Sequence, residues 1–353
     1  MRKLRYAVGL LIAVLLVAPA AGAPSRIDER ASLDAVQRWI VGYRLKPEPA
    51  RVPAAIRALS TIGALKDPEQ AGLYVGFLAG IVSSNPVRAE QLITRILPLP
   101  DEDQWVVVRA IAYSGVPHWK ALLNRFVDRL PSRRVMIDTY LADRLPTLTA
   151  IKRERDKPGW MEQLGDNLSI DKLTGKDKPQ RKKELTLESN PELLDTLWGY
   201  YFATGANAPL ARIVGMLPWS TDRDSVERLT AGSTAKYTLA NYAARDATLL
   251  ATLKSLAADQ PKEVAPVLRE VIEAAETTNL TAIHKDQLNA IEELKRKGPQ
   301  YRRDAGLWAQ MGQGVIALGC IAAAALGQVE VGIPCVVGGA LSSAGVYYLN
   351  SQQ

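Results

Sequence analysis

Apolar residues recur at helical spacing from about residue 31 to residue 145. One series runs through Ala89, Leu92, Ile93, Ile96 and Leu97, which stand at positions i, i+3, i+4, i+7 and i+8. Proline stands at or near the first position of segments of about 12 to 16 residues, where a helix tolerates it best. No stretch keeps the alternation of a strand, so the pattern predicts helix hairpins joined by short loops.

Two stretches of the chain resemble each other and suggest a duplication. Residues 67–80 and residues 190–205 both place a proline at the start of an aromatic helix that ends at a glycine. Helical spacing also recurs over residues 264–272 and 288–294. From these patterns we predict an all-α fold of antiparallel helix hairpins in an α-solenoid-like array of the TPR or HEAT type.

The first 22 residues carry the pattern of an export signal. A basic start formed by Arg2, Lys3 and Arg5 precedes the apolar run 7–17, and small residues follow it. We therefore predict a cleaved signal peptide over residues 1–22 and an exported protein, in the periplasm or on the periplasmic face of a bacterial membrane. An uncleaved N-terminal anchor is the alternative. Loss of the three basic residues lowers the formal net charge from +7 to +4, which gives no support for a nucleic-acid partner.

Composition divides the rest of the chain into four parts. Residues 151–185 contain ten Lys or Arg and seven Asp or Glu with few apolar residues, so we predict a charged linker or insertion over 149–186. A basic docking patch around residues 181–183 is the other interpretation of this stretch. The remaining parts are a helical domain at 25–148, a second helical domain at 187–300 and an apolar hairpin at 305–349.

The C-terminal stretch is apolar and rich in small residues. Apart from Glu330 it holds no charged residue after Asp304, and each half is about long enough to span a bilayer as a helix. We predict an apolar helical hairpin over 305–349 that associates with the membrane through small-residue packing. Basic flanks favour the cytoplasmic side of a membrane, whereas the preceding domain is predicted to be exported. A helix pair buried inside a soluble fold is therefore the alternative. The basic flank consists of Lys295, Arg296, Lys297, Arg302 and Arg303.

The two cysteines fall at matching positions in this predicted hairpin. Cys320 lies seven residues before Gly327, and Cys335 lies seven residues after Gln328. An antiparallel turn between Gly327 and Gln328 therefore places both cysteines at about the same depth. Because exported chains meet oxidising conditions, a Cys320–Cys335 disulfide is a candidate. Two small buried thiols are the alternative.

Few residues are suited to catalysis or metal binding. The chain has 2 His and 2 Cys, and neither His118 nor His284 has further ligands or a triad partner at suitable spacing. We predict no catalytic, cofactor-binding or metal-binding residue. The acidic run 101–103 precedes a helical segment, where carboxylates stabilise the exposed N–H groups. Cation binding is the second interpretation of this run.

An aromatic run supplies the candidate partner surface. It is formed by Trp198, Tyr200 and Tyr201. Trp198, Tyr201 and Phe202 also share one apolar helical face, which is typical of a core. Tyr200 points away from that face and is placed to line a groove.

Short motifs in the helical regions resemble an uncharacterised family of exported bacterial helical proteins. They are Gly76–Gly80 with Asn85 and Pro86, the run Ile111–Gly115, and the block Leu194–Gly205. The resemblance covers roughly residues 50–260 without the charged segment. It implies an all-helical, repeat-like fold. Because that family has no known activity, the resemblance implies no catalytic residue.

Together these patterns favour a noncatalytic interaction or scaffold module at the cell envelope. Such a module holds an unknown protein partner and associates with the membrane through residues 305–349. The second hypothesis is an envelope enzyme, such as a glycan hydrolase that uses paired carboxylates and needs no cofactor. A pore built by oligomers of the C-terminal stretch is the third.

Overall fold

The computed structural model describes residues 27–68, 70–148, 191–222 and 226–278, together with residues 280, 283 and 285. In this part of the chain every regular element is an α-helix or a 3₁₀ helix, which confirms the all-α prediction. The predicted signal peptide (1–22), charged segment (149–186) and apolar hairpin (305–349) lie outside the described residues. None of the described helices is long and apolar enough to cross a membrane.

The helices before the charged segment are short. They are α1 (Leu33–Gly42), α2 (Val52–Ile62), α3 (Gly72–Ser84), α4 (Ala89–Ile96), α5 (Trp105–Tyr113), α6 (Trp119–Asn124) and α7 (Arg134–Leu141). The 3₁₀ helices between them are Tyr43–Leu45, Pro49–Arg51, Pro86–Arg88, Asp101–Asp103, Val127–Arg129 and Pro131–Arg133. Three of these turns begin with proline, whose fixed φ and missing N–H suit the start of a helix.

A second set of helices follows the charged segment. It comprises α8 (Pro191–Thr204), α9 (Asn207–Val214), α10 (Val226–Ala243), α11 (Ala247–Ala257) and α12 (Ala265–Glu276), with a 3₁₀ helix at Leu217–Thr221. Asp246 caps α11, because its side chain accepts a hydrogen bond from the Leu249 N–H at 3.0 Å. Gly205 follows α8 with φ +66°, the left-handed conformation that glycine adopts at helix ends.

Within each set, neighbouring helices pack against one another. In the first set α3 packs on α4 and α5, α2 packs on α4, and α5 packs on α6 and α7. In the second set α8 packs on α9 and α10, while α10 packs on α11 and α12. Both sets contribute to one apolar core, which extends from Ile27 to Ile283 among the described residues.

The two sets meet along α3 and α8. Helix α3 is buried from Gly72 to Val82, so it lies at the centre of the part of the chain that the structure describes. A Cβ on Gly72 would lie 2.7 Å from the carbonyl oxygen of Glu192, and a Cβ on Gly80 would lie 2.6 Å from the Cβ of Ala203. Both distances are shorter than real Cβ contacts. The helix backbones therefore approach more closely than larger side chains would permit.

This interface is formed by the segments that resemble each other in sequence. Residues 67–80 include most of α3, and residues 190–205 include the whole of α8. Each helix contributes small residues four positions apart, which lie on one helical face. They are Gly72, Gly76 and Gly80 in α3, and Gly199 and Ala203 in α8.

Candidate functional site

A mostly buried ion pair joins α5 to the first turn of α8. Nη1 of Arg109 donates to Oε1 of Glu192, and the two side chains are 21% and 12% exposed. The guanidinium also lies over the ring of Trp105, 4.7 Å from its centroid. Helix α5 and helix α8 are thereby tied together beside the α3–α8 interface.

Two tyrosines lie close to this ion pair, and Tyr140 forms a hydrogen bond with Arg109. The rings of Tyr113 in α5 and Tyr140 in α7 meet edge to face with centroids 6.5 Å apart, and both residues are buried. Burial raises the pKa of both phenols above the ordinary tyrosine value, so both hydroxyls stay protonated well into the alkaline range. We call Arg109, Tyr113, Tyr140 and Glu192 the Arg109 cluster.

The charged members of the Arg109 cluster perturb each other. Burial raises the pKa of the Glu192 carboxyl above its ordinary value, against the lowering effect of Arg109, and the charge of Asp67 adds to the rise. Burial alone would lower the pKa of Arg109, but Glu192 and the two tyrosines together raise it. A carboxyl that binds its proton more tightly than usual is suited to donate it as a general acid. Its bond to Arg109 also suits a purely structural role.

A second ion pair ties the first set of helices to α11. Arg44 follows α1 and pairs with Asp246, and their side chains are 8% and 26% exposed. Its guanidinium lies 5.2 Å from the centroid of the Tyr201 ring. Because Asp246 also caps α11, one carboxylate both starts a helix and holds it against the other half of the chain.

The aromatic residues of the candidate partner surface lie mostly in the core. Trp198 is 0% exposed and Tyr201 is 2% exposed, so their rings follow the apolar-face interpretation of α8. Nε1 of Trp198 donates to Oγ1 of Thr238 at 3.1 Å. Tyr200 is partly buried, and its hydroxyl bonds to Oγ of Ser83 at 2.7 Å. Its hydroxyl therefore serves to join α8 to the end of α3.

Ser233 and Lys236 on α10 have a spacing that the sequence analysis did not single out. A serine three residues before a lysine occurs in serine acyl-transfer enzymes, in which the lysine assists the nucleophile. Here Nζ of Lys236 donates to Oε2 of Glu270 at 2.8 Å. Ser233 is 5% exposed. This arrangement fits a packed helix better than a nucleophile that must reach a substrate.

The acidic run 101–103 forms its own 3₁₀ turn before α5. The N-cap residue of α5 is Gln104, and its side chain makes no capping hydrogen bond. Asp103 is 1% exposed and accepts a hydrogen bond from Oγ of Ser60 at 2.5 Å. Its other carboxylate oxygen has no partner in the described part of the chain.

The remaining predicted sites are only partly covered by the structure. Cys320, Cys335 and the basic flank at 295–303 lie outside the described residues, as does His284. His118 is exposed and stands at the start of α6 without a side-chain capping bond. Within residues 27–285 as far as they are described, no three His, Cys, Asp or Glu side chains are grouped to hold a metal ion.

Sequence spacing did not identify Arg109 and Glu192, because they stand 83 residues apart and belong to separate hairpins. The glycines at 72, 76 and 80 did leave a signal, since small residues four apart indicate close helix packing. No family model, curated protein or solved structure matches the chain.

Proposed function

We propose that this protein is a noncatalytic interaction or scaffold module that is exported to the bacterial cell envelope. The observation that supports this most directly is that its buried polar side chains are engaged in contacts between helices. Arg44, Arg109 and Lys236 are each paired with a carboxylate from another helix, and Trp198 and Tyr200 bond to neighbouring helices. Side chains that are paired in this way stabilise the packing of the helices, which favours a structural role over a reactive centre.

We further propose that the hairpins form an α-solenoid-like array of the TPR or HEAT type. The hairpins α3–α4, α5–α6, α8–α9 and α10–α11 have short connections, and successive hairpins pack side by side. Arrays of this kind present extended surfaces to protein partners. In this chain α8 already covers one side of α3, so the proposed partner surface lies on the outer helices.

The proposed membrane association depends on residues 305–349. Two apolar stretches rich in small residues support it, and the Cys320–Cys335 disulfide is the bridge we propose between them. The basic flank (Lys295, Arg296, Lys297, Arg302 and Arg303) is proposed to lie on the anionic membrane face. A buried helix pair within a soluble protein is the competing arrangement for the same residues.

Alkaline carbonate extraction of bacterial envelopes tests this proposal on the full chain. Retention of the mature chain in the membrane pellet is the expected result, because an integral hairpin resists extraction. Crosslinking within intact envelopes should then capture a specific protein. Release into the supernatant would contradict membrane anchoring, and a chain that keeps residues 1–22 and stays in the cytoplasm would contradict export.

A second candidate function is a glycan hydrolase that uses paired carboxylates. The observation in its favour is the raised pKa of Glu192 and the influence of the nearby Asp67 carboxylate on it. Purified protein would be incubated with peptidoglycan, and Glu192→Gln would be compared with Glu90→Gln, which alters an exposed acid. Hydrolysis that is lost only in Glu192→Gln supports this function. A folded wild-type chain that releases no product contradicts it.

A further inference from the structure

A tryptophan, a carboxylate and a guanidinium are held together between α1 and α2. Trp39 lies on α1, Glu48 precedes the 3₁₀ turn before α2, and Arg51 ends that turn. Oε2 of Glu48 accepts a hydrogen bond from Nε1 of Trp39 at 3.2 Å and lies 3.1 Å from Nη1 of Arg51. One carboxylate oxygen therefore contacts both of the other side chains. We call Trp39, Glu48 and Arg51 the Trp39 cluster.

The Trp39 cluster is anchored in the core but keeps polar groups that are partly open to solvent. Trp39 is partly buried, and its ring meets those of Tyr43 and Phe77 edge to face, with centroids 5.2 and 5.5 Å away. The side chains of Glu48 and Arg51 are 22% and 38% exposed. Within the described part of the chain Oε1 of Glu48 accepts no hydrogen bond, and Nε and Nη2 of Arg51 donate none. The cluster thus offers an acceptor and donors to a ligand.

The ring of Trp39 differs from those of the other two partly exposed tryptophans among the described residues. Lys120 lies over the ring of Trp119, and Arg228 lies over that of Trp219, each 5.7 Å from the centroid. No lysine or arginine of the described residues lies over the ring of Trp39. Because an indole N–H lies in the plane of its ring, the bonded carboxylate stands at the edge of this ring and not over its face.

An aromatic ring beside a paired carboxylate and guanidinium matches the surface of a pyranose sugar. Neighbouring hydroxyl groups of a sugar donate to a carboxylate and accept from a guanidinium at the same time. The C–H groups of an all-equatorial pyranose form a flat apolar face that packs on an indole ring. A quaternary ammonium ligand fits the cluster less well, because it is bound by ring faces and is repelled by Arg51.

We propose that the Trp39 cluster binds a neutral glycan of all-equatorial pyranose units. Trp39 packs on one sugar ring, while Glu48 and Arg51 bind neighbouring hydroxyl groups of that ring. Because the three side chains already hold one another, little side-chain entropy is lost on binding. The site uses none of the side chains that support the proposed function, so its failure would leave the envelope assignment unchanged.

Calorimetric titration of the full chain with cellotriose tests the site, because all three rings of this sugar are all-equatorial. Trp39→Ala is expected to bind at least about tenfold more weakly, since the apolar face of the sugar loses its partner. Glu48→Gln keeps the shape of the side chain and an acceptor for Trp39, and its loss of charge should weaken binding about three- to tenfold. The matched controls are Trp119→Ala, whose ring already faces a lysine, and Glu90→Gln, which alters an exposed acid.

Circular dichroism identifies the variants that fold, and Glu48→Gln decides the test alone if Trp39→Ala does not fold. Binding that is weakened in the cluster variants and kept in both controls supports the proposal. Titration with choline distinguishes a sugar from a quaternary ammonium ligand. The proposal is overturned if folded wild-type protein binds no cellotriose at millimolar concentration or binds choline instead. Cluster variants that bind as well as the wild type, or controls that lose as much as they do, would also overturn it.

Discussion

Gly76 of α3 and Gly199 of α8 each lie against the backbone of the other helix. A Cβ on Gly76 would lie 2.7 Å from the carbonyl carbon of Thr196, and a Cβ on Gly199 would lie 2.6 Å from the amide nitrogen of Phe77. Neither position has room for a methyl group. Such reciprocity is expected when two equivalent helices pack face to face.

Substitution of one of these glycines should separate the helices. We expect Gly76→Ala to lower the free energy of unfolding by about 2–4 kcal/mol, because the added methyl must displace backbone atoms. The matched control is Gly42→Ala at the end of α1, where a Cβ meets nothing within 4 Å. Alanine at that position should be neutral or stabilising by up to about 1 kcal/mol. Urea unfolding followed by circular dichroism measures both variants, and equal losses would contradict the close contact.

The two sets of helices should remain associated after the chain is cut between them. A recognition site for a specific protease, inserted between Asp166 and Asn167, allows a single cut in the charged segment. The α3–α8 interface and the ion pairs Arg44–Asp246 and Arg109–Glu192 do not depend on that peptide bond. We expect both fragments to elute together in size-exclusion chromatography and to part only in denaturant. Fragments that separate in buffer would show that the charged segment itself holds the molecule together.

The Arg109–Glu192 pair should be energetically coupled. Arg109→Met and Glu192→Gln each leave a mostly buried polar partner, so each should cost about 2–4 kcal/mol of stability. The double variant should cost about 1–3 kcal/mol less than the sum, because neither charge is left alone. Arg125→Gln serves as the control, since Arg125 and Glu90 are 63% and 50% exposed and such a pair contributes at most about 1 kcal/mol. Additive losses in the double-mutant cycle would rule out coupling.

Several tyrosines should resist ionisation until the protein unfolds. Burial raises the pKa of Tyr43 from 10.0 to about 12, and it also raises the pKa of Tyr74 and Tyr113. A raised folded pKa means that these phenols contribute stability that is fully present below pH 10 and is lost as the pH rises through the folded value. Ultraviolet absorbance of the phenolate should therefore rise late, together with the loss of helical circular dichroism. If the tyrosines of the folded protein were fully titrated near pH 10, as is expected of the protein unfolded in urea, the prediction would be wrong.

Helices were easier to predict from sequence than the contacts between them. The spacing of Leu92, Ile93 and Ile96 places them on the buried face of α4, as the structure has them. Local periodicity reports such a face because it depends on neighbours three and four residues away. The similarity of residues 67–80 to residues 190–205 suggested equivalent helices, but nothing in it indicated that they touch.

The contacts within the Arg109 cluster could not be predicted from the sequence and were found only in the folded structure. Arg109 lies on a helix with a long apolar run, and Glu192 is an acid in a first helical turn, where it needs no distant partner to be explained. The burial of Asp103 was equally hidden, because acidic residues before a helix are usually exposed caps. Side chains that act across more than one hairpin leave no periodic signal in the sequence.

The central position of α3 has a consequence for the order in which the chain matures. Helix α3 ends at Ser84, whereas α8, which covers one of its sides, ends at Thr204. During synthesis the apolar side of α3 is thus complete long before its cover exists, and the first set of helices cannot complete its core alone. Until residue 204 has been made, the glycine-lined face of α3 is therefore left without the helix that covers it.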